Sequence, residues 1–131
     1  MEHTNKNQLK NNVHNLFSKE SSDNDAFMTP WSLVHYCSGF LIVLVLFILN
    51  FKTFPKIFIL GNVIHFIYEI VDITINKYSL LNSFGDQVFA CLGMLSCYYI
   101  LFVIKQTTII IPITLLIFYF LIDFIFFKSR L

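Results

Sequence analysis

Four apolar runs, each about as long as a membrane-spanning helix, constrain this chain more than any other feature of its sequence. They cover approximately residues 31–50, 55–75, 84–104 and 108–127. About 20 helical residues cross the ~30 Å hydrocarbon core of a bilayer, so each run is long enough to span it. The spacers FKTF, NKYSLLNS and KQT permit only tight turns between antiparallel neighbours. The sequence therefore predicts an all-α fold, in which residues 29–131 form a four-helix transmembrane bundle.

The composition supports a membrane protein and excludes other classes. The chain is 56% hydrophobic and only 13% charged, which is too apolar for an ordinary soluble domain. Its net charge of +1 leaves no basic face for a nucleic acid, so membrane lipid is the expected partner. Whether the chain forms a homo-oligomer is left open. We interpret Cys37, Cys91 and Cys97 as small buried hydrophobic residues, the alternative being a reactive free thiol.

The first 28 residues form a polar tail, rich in Asn, Lys and Ser. Its apolar side chains recur at helical spacing: Leu9, Val13, Leu16 and Phe17. This pattern is compatible with a short helix on the membrane surface, but a disordered tail fits the polar composition equally well. The TPW sequence at 29–31 then supplies a helix cap, a first-turn proline and an interfacial tryptophan.

The basic residues around the spans favour one orientation in the membrane. An even number of spans places both termini on the same side. That side is flanked by Lys19, Lys77, Lys128 and Arg130, and the opposite side by Lys52, Lys56 and Lys105. Because cytoplasmic loops carry an excess of Lys and Arg, we expect both termini to be cytoplasmic.

Ionisable side chains interrupt the spans, and they gather in one half of the predicted bundle. They are His35, His65, Glu69, Asp72, Asp86 and Asp123. At 1.5 Å of rise per residue, all except His65 lie within about two turns of the same interface. His65 lies about one turn deeper. Charged groups within a membrane are costly and indicate a functional site by default.

The helical faces agree with this clustering. His65, Glu69 and Asp72 are spaced i, i+4, i+7 and share one face. Asp86 begins a stripe that continues with the small residues Ala90, Gly93 and Cys97, which let a neighbouring helix approach. We expect this stripe to bring the second and third helices together.

These depths and faces predict that His35, Glu69 and Asp86 meet in one cavity. We expect this cavity to open to the headgroup layer on the side of the N-terminus, with Asp72 at its rim. Two carboxylates so close repel each other, so the prediction includes a cation, a proton or His35 between them.

Structural interpretations stand beside the functional one. Asp72, Asp86 and Asp123 are near helix ends, where a carboxylate can simply reach the headgroups. Asp86 also suits the positive end of a helix dipole. His65 can be a core residue bonded to a backbone carbonyl. A purely structural role is harder to assign to His35 and Glu69, because both lie inside their spans and each is aligned in depth with a possible partner.

Carboxylates and imidazoles from several helices can together hold a divalent cation. The candidate metal ligands are His65, Glu69, Asp72 and Asp86, and the candidate catalytic residues are His35, Glu69 and Asp86. Oxygen-rich ligand sets favour Ca²⁺, Mg²⁺ or Mn²⁺, whereas more imidazole favours Zn²⁺. With three carboxylates in the set, one of the first three ions is the expected cofactor. A histidine beside carboxylates can also act as a general base.

The sequence NSFGDQ at 82–87 adds a candidate phosphate site. Asn82 or Ser83 can cap the third helix, and the backbone N–H groups at that end can bind a phosphate. A cation, a base and a phosphate site at headgroup depth suit chemistry on a lipid headgroup. The chain contains no P-loop, dinucleotide-binding fingerprint, nucleophile elbow or selectivity-filter sequence.

The layout resembles the VanZ-like membrane proteins. Their pattern is a His early in one span, a Glu near the end of the next, and a D-x-x-x-N-x-x-G run at the start of the third. Here WSLVHYCSGF supplies His35, HFIYEIVD supplies Glu69, and GDQVFACLG supplies Asp86 and Gly93. The Asn position holds Ala90, which departs from the pattern. The resemblance covers residues 31–93 and implies a link to glycopeptide-antibiotic tolerance without defined chemistry.

The order of the same residues is also similar to the core of base-exchange phosphatidylserine synthases. That resemblance implies His35 as a base, with Glu69, Asp72 and Asp86 as cation ligands. This chain is much shorter and lacks the Trp-rich acidic segment of those enzymes.

The residues support three function hypotheses. The first is a membrane enzyme of lipid metabolism, a metal-assisted transferase or hydrolase acting on a phospholipid or polyprenyl-phosphate headgroup. The second is a protein that transports protons or a divalent cation. The third is a non-catalytic membrane scaffold in which the polar cluster only fixes the helix register.

Overall fold

Four helices form the computed structural model, which describes residues 16–18, 25–76 and 79–128. They are α1 Pro30–Ile48, α2 Phe54–Asn76, α3 Leu80–Tyr98 and α4 Thr107–Lys128, and α3 continues into the π-helical segment Tyr99–Ile104. All four are long and apolar enough to cross a membrane. The described residues contain no β-strand, so the prediction of an all-α four-helix bundle is confirmed. The predicted surface helix lies mostly outside them, although Leu16 and Phe17 are included.

Residues with left-handed backbone conformations make two of the tight turns. Asn50 has a φ of 70° just after α1, and Lys105 has a φ of 58° at the end of the π-helical segment. Asparagine adopts this conformation readily, whereas lysine does so uncommonly. These single residues end one span and allow the next to begin within a few positions, as the short spacers require.

The third helix begins earlier than the sequence predicts. It starts at Leu80 rather than near residue 84, and the Ser79 side chain caps it by accepting a hydrogen bond from the Asn82 backbone N–H at 3.1 Å. The expectation that Asn82 or Ser83 caps this helix is therefore wrong. The apolar pair Leu80 and Leu81 extends the helix by one turn, which places Asn82 and Ser83 inside it, where both are buried.

The closest helix pair is α1 with α3. A Cβ atom added to Gly39 would overlap the carbonyl group of Ala90, and one added to Gly93 would overlap the carbonyl group of Tyr36. The two backbones therefore touch, as small residues allow. The expectation that this stripe faces α2 is wrong, because Gly39 gives α1 the matching small surface.

The fourth helix lies at the edge of the bundle. It packs against α1 and the π-helical segment. Within the described part of the chain, Ile110 and Ile117 are its buried side chains. Trp31 meets Phe124 edge to face, with ring centroids 5.1 Å apart, and this contact anchors the end of α4 to the start of α1. Helices α1, α2 and α3 thus carry the polar interior.

Candidate functional site

Four ionisable side chains from three helices are buried together in the bundle. His35 of α1 is 7% exposed, His65 and Glu69 of α2 are 2% and 3% exposed, and Asp86 of α3 is 4% exposed. His35 lies about 8 Å inside α1, since it is five residues past the helix start. The predicted meeting of His35, Glu69 and Asp86 is therefore observed, and neither His35 nor Glu69 faces lipid.

Three of these side chains point one atom each at a common centre. His35 Nδ1 lies 3.1 Å from His65 Nε2 and 3.3 Å from Glu69 Oε1. The third distance, from His65 Nε2 to Glu69 Oε1, is 3.7 Å. No hydrogen bond of acceptable geometry reaches Glu69 Oε1 from the described residues. This compact group could hold a metal ion.

The α-helical spacing of α2 explains how two of the ligands converge. His65 and Glu69 are four residues apart, so they stand one above the other on the same helix face. The sequence places His65 about a turn below Glu69, and this difference in depth is reduced because the Glu69 side chain leans toward the N-terminus of α2 and thus toward His65. His35 completes the triangle from α1.

Asp86 lies on the far side of the His35 ring. Its Oδ2 is 3.3 Å from His35 Nε2, and its Oδ1 accepts a hydrogen bond of 3.2 Å from the Ser32 hydroxyl. Ser32 Oγ in turn accepts a hydrogen bond of 3.1 Å from the Thr29 N–H, as part of the capping box that begins α1. The start of α1 thus fixes Asp86, which in turn orients His35.

His65 has a corresponding partner on α3. Its Nδ1 is 2.9 Å from Gln87 Oε1. Gln87 Nε2 donates to Asn62 Oδ1 at 2.7 Å, and Asn62 Nδ2 donates to the Phe58 carbonyl oxygen at 2.7 Å. Cys91 also donates to Asn62 Oδ1, at a sulfur-to-oxygen distance of 2.8 Å. We call the chain from Phe58 through Asn62 and Gln87 to His65 the amide relay.

The other predicted site residues take different positions. Asp72 is half-buried and lies outside the three-atom group, and Asp123 is exposed on α4. Asn82 Nδ2 donates to the Ala26 carbonyl oxygen at 2.9 Å, so this amide is already engaged. The Ser83 hydroxyl is buried beside the Glu69 carboxylate. Metal binding by Asp72 and Asp86, and phosphate binding by Asn82 and Ser83, stay predictions.

Sequence reasoning missed Ser32, Asn62 and Gln87. All three are polar residues inside apolar spans, and that property alone could have identified them. Ser32 and Asn62 each lie three residues before a cluster histidine and therefore on the same helix face. Buried amides and hydroxyls need hydrogen-bond partners, as buried ionisable groups do, so uncharged polar residues within a span also indicate a polar cluster.

A lateral groove of about 360 Å³ leads to the two imidazoles. Its lining residues are Val34, His35, Ser38, Ile42, Ile64, His65 and Tyr68. They come from α1 and α2 alone, so the groove follows the flank of these helices. The sequence instead predicts a cavity that opens to the headgroup layer and is lined by Glu69 and Asp86. Both carboxylates are packed behind the histidines and do not line this groove.

Replacing Ser32 with alanine should destabilise the protein by about 2 kcal/mol, because one of the two hydrogen bonds of the capping box and the donor to buried Asp86 are lost together. The measurement is unfolding in detergent, followed by circular dichroism. Ser38→Ala is the matched control: the Ser38 hydroxyl donates to the His35 carbonyl of its own helix at 2.8 Å. Equal effects of the two substitutions would contradict the role given to Ser32.

No family model, curated protein or solved structure matches this chain. The resemblances to VanZ-like proteins and to phosphatidylserine synthases therefore remain expectations that rest on short motifs. What the site can do follows from its own geometry: two imidazoles and one carboxylate converge at a point inside a membrane-type bundle, beside an apolar groove.

Proposed function

We propose that this protein is a membrane enzyme that acts on the headgroup of a phospholipid or polyprenyl phosphate, with a divalent cation held by His35, His65 and Glu69. The observation that carries the proposal is the convergence of three metal-ligating atoms within 3.7 Å of one another. Such an ion would supply Lewis acidity, polarising a phosphoryl oxygen or activating an attacking hydroxyl group.

The depth of the cluster supports a lipid headgroup as the substrate. His35 and Asp86 lie about 8–9 Å inside the starts of α1 and α3, at 1.5 Å per residue. Phosphate groups of a bilayer lie just beyond the hydrocarbon core, so a headgroup needs to enter only a short distance. The apolar walls of the lateral groove suit an acyl or prenyl chain, while its imidazole floor suits the polar end.

The chain's own residues have distinct tasks in this proposal. His35, His65 and Glu69 hold the cation, and Asp86 and Gln87 orient the two imidazoles. In the reaction, an oxygen of water or of an alcohol bonds to phosphorus as the bond from phosphorus to the leaving oxygen breaks. The proton lost by the attacking oxygen ends on the leaving oxygen.

The distribution of buried polar groups favours an enzyme over a transport protein. The buried polar and charged residues of the described segments are Thr29, Ser32, His35, His65, Glu69, Asn82, Ser83 and Asp86. All of them lie in the half of the bundle that contains the start of α1, and the deepest of them is at the level of the middle of α2. A transport path would need polar groups through the other half as well.

Substituting His35 with alanine should abolish the change in membrane lipids that the wild-type protein causes, because one cation ligand and the partner of Asp86 are lost. The measurement is lipid profiling of cells that express each variant at equal membrane levels. Val45→Ala is the matched control, since Val45 is an exposed residue of the same helix. Identical lipid profiles for wild type, His35→Ala and cells without the protein would overturn the proposal.

A further inference from the structure

We infer that the site takes a tetrahedral, zinc-type ion rather than Ca²⁺ or Mg²⁺, and that Gln87 is a positioning residue that holds His65 in the ligating form. This inference deepens the proposed function and rests on the cation role given to His35, His65 and Glu69. It reverses the preference that the sequence alone suggests, because the structure places two imidazoles and only one carboxylate at the centre.

The distances between the ligand atoms fit a tetrahedral ion. Zinc bonds to nitrogen and oxygen ligands are about 2.0–2.1 Å long, which makes the edge of a regular tetrahedron about 3.3–3.4 Å. The observed edges are 3.1, 3.3 and 3.7 Å. Calcium instead requires six to eight oxygen ligands, and magnesium prefers carboxylate and water oxygens. Two imidazole nitrogens at the centre therefore favour a zinc-type ion.

The amide relay determines which nitrogen of His65 carries the proton. The Phe58 carbonyl can only accept, so Asn62 must present its N–H₂ group there and its oxygen toward Gln87. Gln87 then presents its N–H₂ group to Asn62 and its oxygen to His65. His65 Nδ1 must donate to that oxygen, which leaves the lone pair of Nε2 directed at the cluster centre.

Asp86 is placed to hold His35 in the opposite tautomer. Its Oδ2 lies 3.3 Å from Nε2, and a proton on that nitrogen would leave the lone pair of Nδ1 facing the centre. The Ser32 hydroxyl, at 3.2 Å, keeps the carboxylate in place. Zinc-ligating histidines commonly donate their other N–H to a carboxylate or carbonyl oxygen. Gln87 is in this position for His65, and Asp86 lies in the corresponding position for His35.

The two tautomers and Glu69 together place three electron pairs at one point. In these tautomers His35 Nδ1, His65 Nε2 and Glu69 Oε1 would face one another with no proton between them, and a cation would relieve their repulsion. When one of the two nitrogens carries a proton, their 3.1 Å contact is a hydrogen bond, and metal binding displaces that proton. Three protein ligands leave one tetrahedral position for water or substrate, as in catalytic zinc sites.

The test uses the full-length protein, purified in detergent, with zinc content measured by mass spectrometry and Co²⁺ as a spectroscopic probe. Tetrahedral Co²⁺ absorbs visible light strongly, whereas octahedral Co²⁺ absorbs weakly. We expect about one zinc per chain, retained against excess Ca²⁺ and Mg²⁺, and a strong cobalt spectrum that His65→Ala abolishes. Absence of zinc, preference for Ca²⁺ or Mg²⁺, or an octahedral cobalt spectrum would each overturn the inference.

The role of Gln87 is tested by Gln87→Leu, which should weaken Co²⁺ binding 10- to 100-fold, the usual cost of removing a hydrogen-bond partner of a metal ligand. Cys91→Ala is the matched control: it removes the thiol that donates to Asn62 and accepts a weak hydrogen bond from Gln87, but it keeps every hydrogen bond between members of the relay. Unchanged cobalt affinity in Gln87→Leu would refute the positioning role. Should Gln87→Leu fail to fold, Asn62→Leu tests the same relay one residue farther away.

These measurements are independent of lipid turnover. Tight zinc binding together with a lipid profile that His35→Ala leaves unchanged would overturn the proposed enzyme but support the metal assignment. A lipid profile that depends on His35 in a protein that does not bind zinc would support the proposed enzyme but overturn the zinc assignment.

Discussion

Gly93→Ala is expected to destabilise the protein by about 3 kcal/mol, the upper end of what overpacking of a close contact commonly costs. The added methyl group would overlap the carbonyl of Tyr36 and crowd the backbone nitrogen of Phe40, both fixed parts of α1. Since backbone atoms cannot rotate away, α1 and α3 must separate. This separation would also pull His35 away from Asp86.

Gly61→Ala provides the matched control for this substitution. An added Cβ there would lie 3.0 Å from Met94 Sδ and 3.3 Å from Ile42 Cγ2, both side-chain atoms that can move. Because alanine also favours the helix by about 1 kcal/mol relative to glycine, the net change should be small. Unfolding in detergent measures both variants. Similar stability of Gly93→Ala and Gly61→Ala would show that α1 and α3 are not in backbone contact.

The number and approximate extent of the helices were predictable because each span is a long apolar run bounded by polar residues. Their neighbours were harder to predict. The small-residue stripe on α3 indicates that some helix approaches closely, but not which one. On α1, His35 and Gly39 repeat the four-residue spacing that begins this stripe, but the repeat does not show that α1 is the helix that packs there. Helix periodicity specifies faces, and the pairing of faces depends on packing among all the helices.

The members of the polar cluster were predictable to the level of depth and face. Counting residues from the helix ends brought His35, Glu69 and Asp86 together correctly. Residue counting could not show which atoms lie at the centre of the cluster and which lie behind the centre, because the side-chain torsion angles determine those positions. Of the expected metal ligands, His65 and Glu69 lie at the centre together with His35, whereas Asp86 lies beside the far nitrogen of His35.

Chelation of the metal is expected to lower the free energy of unfolding of the wild-type protein by about 4 kcal/mol. This value applies when the free zinc concentration before chelation is about a thousandfold above the dissociation constant. In the proposed site the ion would bind only the folded arrangement of His35, His65 and Glu69, so a strong chelator would withdraw that stabilisation. Thermal unfolding in detergent, with and without chelator, measures the difference. Adding zinc back should restore the original stability, and chelation without effect would contradict a structural contribution from the ion.

The Glu69→Gln variant distinguishes two effects: the loss of the bound metal, and the repulsion among the three ligand atoms that a bound metal would relieve. The glutamine amide has the shape of the carboxylate but is a poor zinc ligand, so the variant should be insensitive to chelator. Its N–H₂ group can donate to His35 Nδ1, which lies 3.3 Å from Glu69 Oε1 in the wild type. Because this N–H₂ group would be a donor facing the acceptor nitrogens of the two histidines, the variant should be at least as stable as the chelated wild type. The new hydrogen bond should contribute about 1 kcal/mol.

Asp123→Asn controls for the loss of a carboxylate from the same half of the bundle. Asp123 is exposed on α4 and lies outside the three-atom group, so this variant should respond to chelator as the wild type does. If Glu69→Gln also kept the full chelator response, Glu69 would not be a ligand. Replacing an acceptor by a donor relieves repulsion only where acceptors face one another. A Glu69→Gln variant much less stable than the chelated wild type would therefore show that the three atoms do not repel one another.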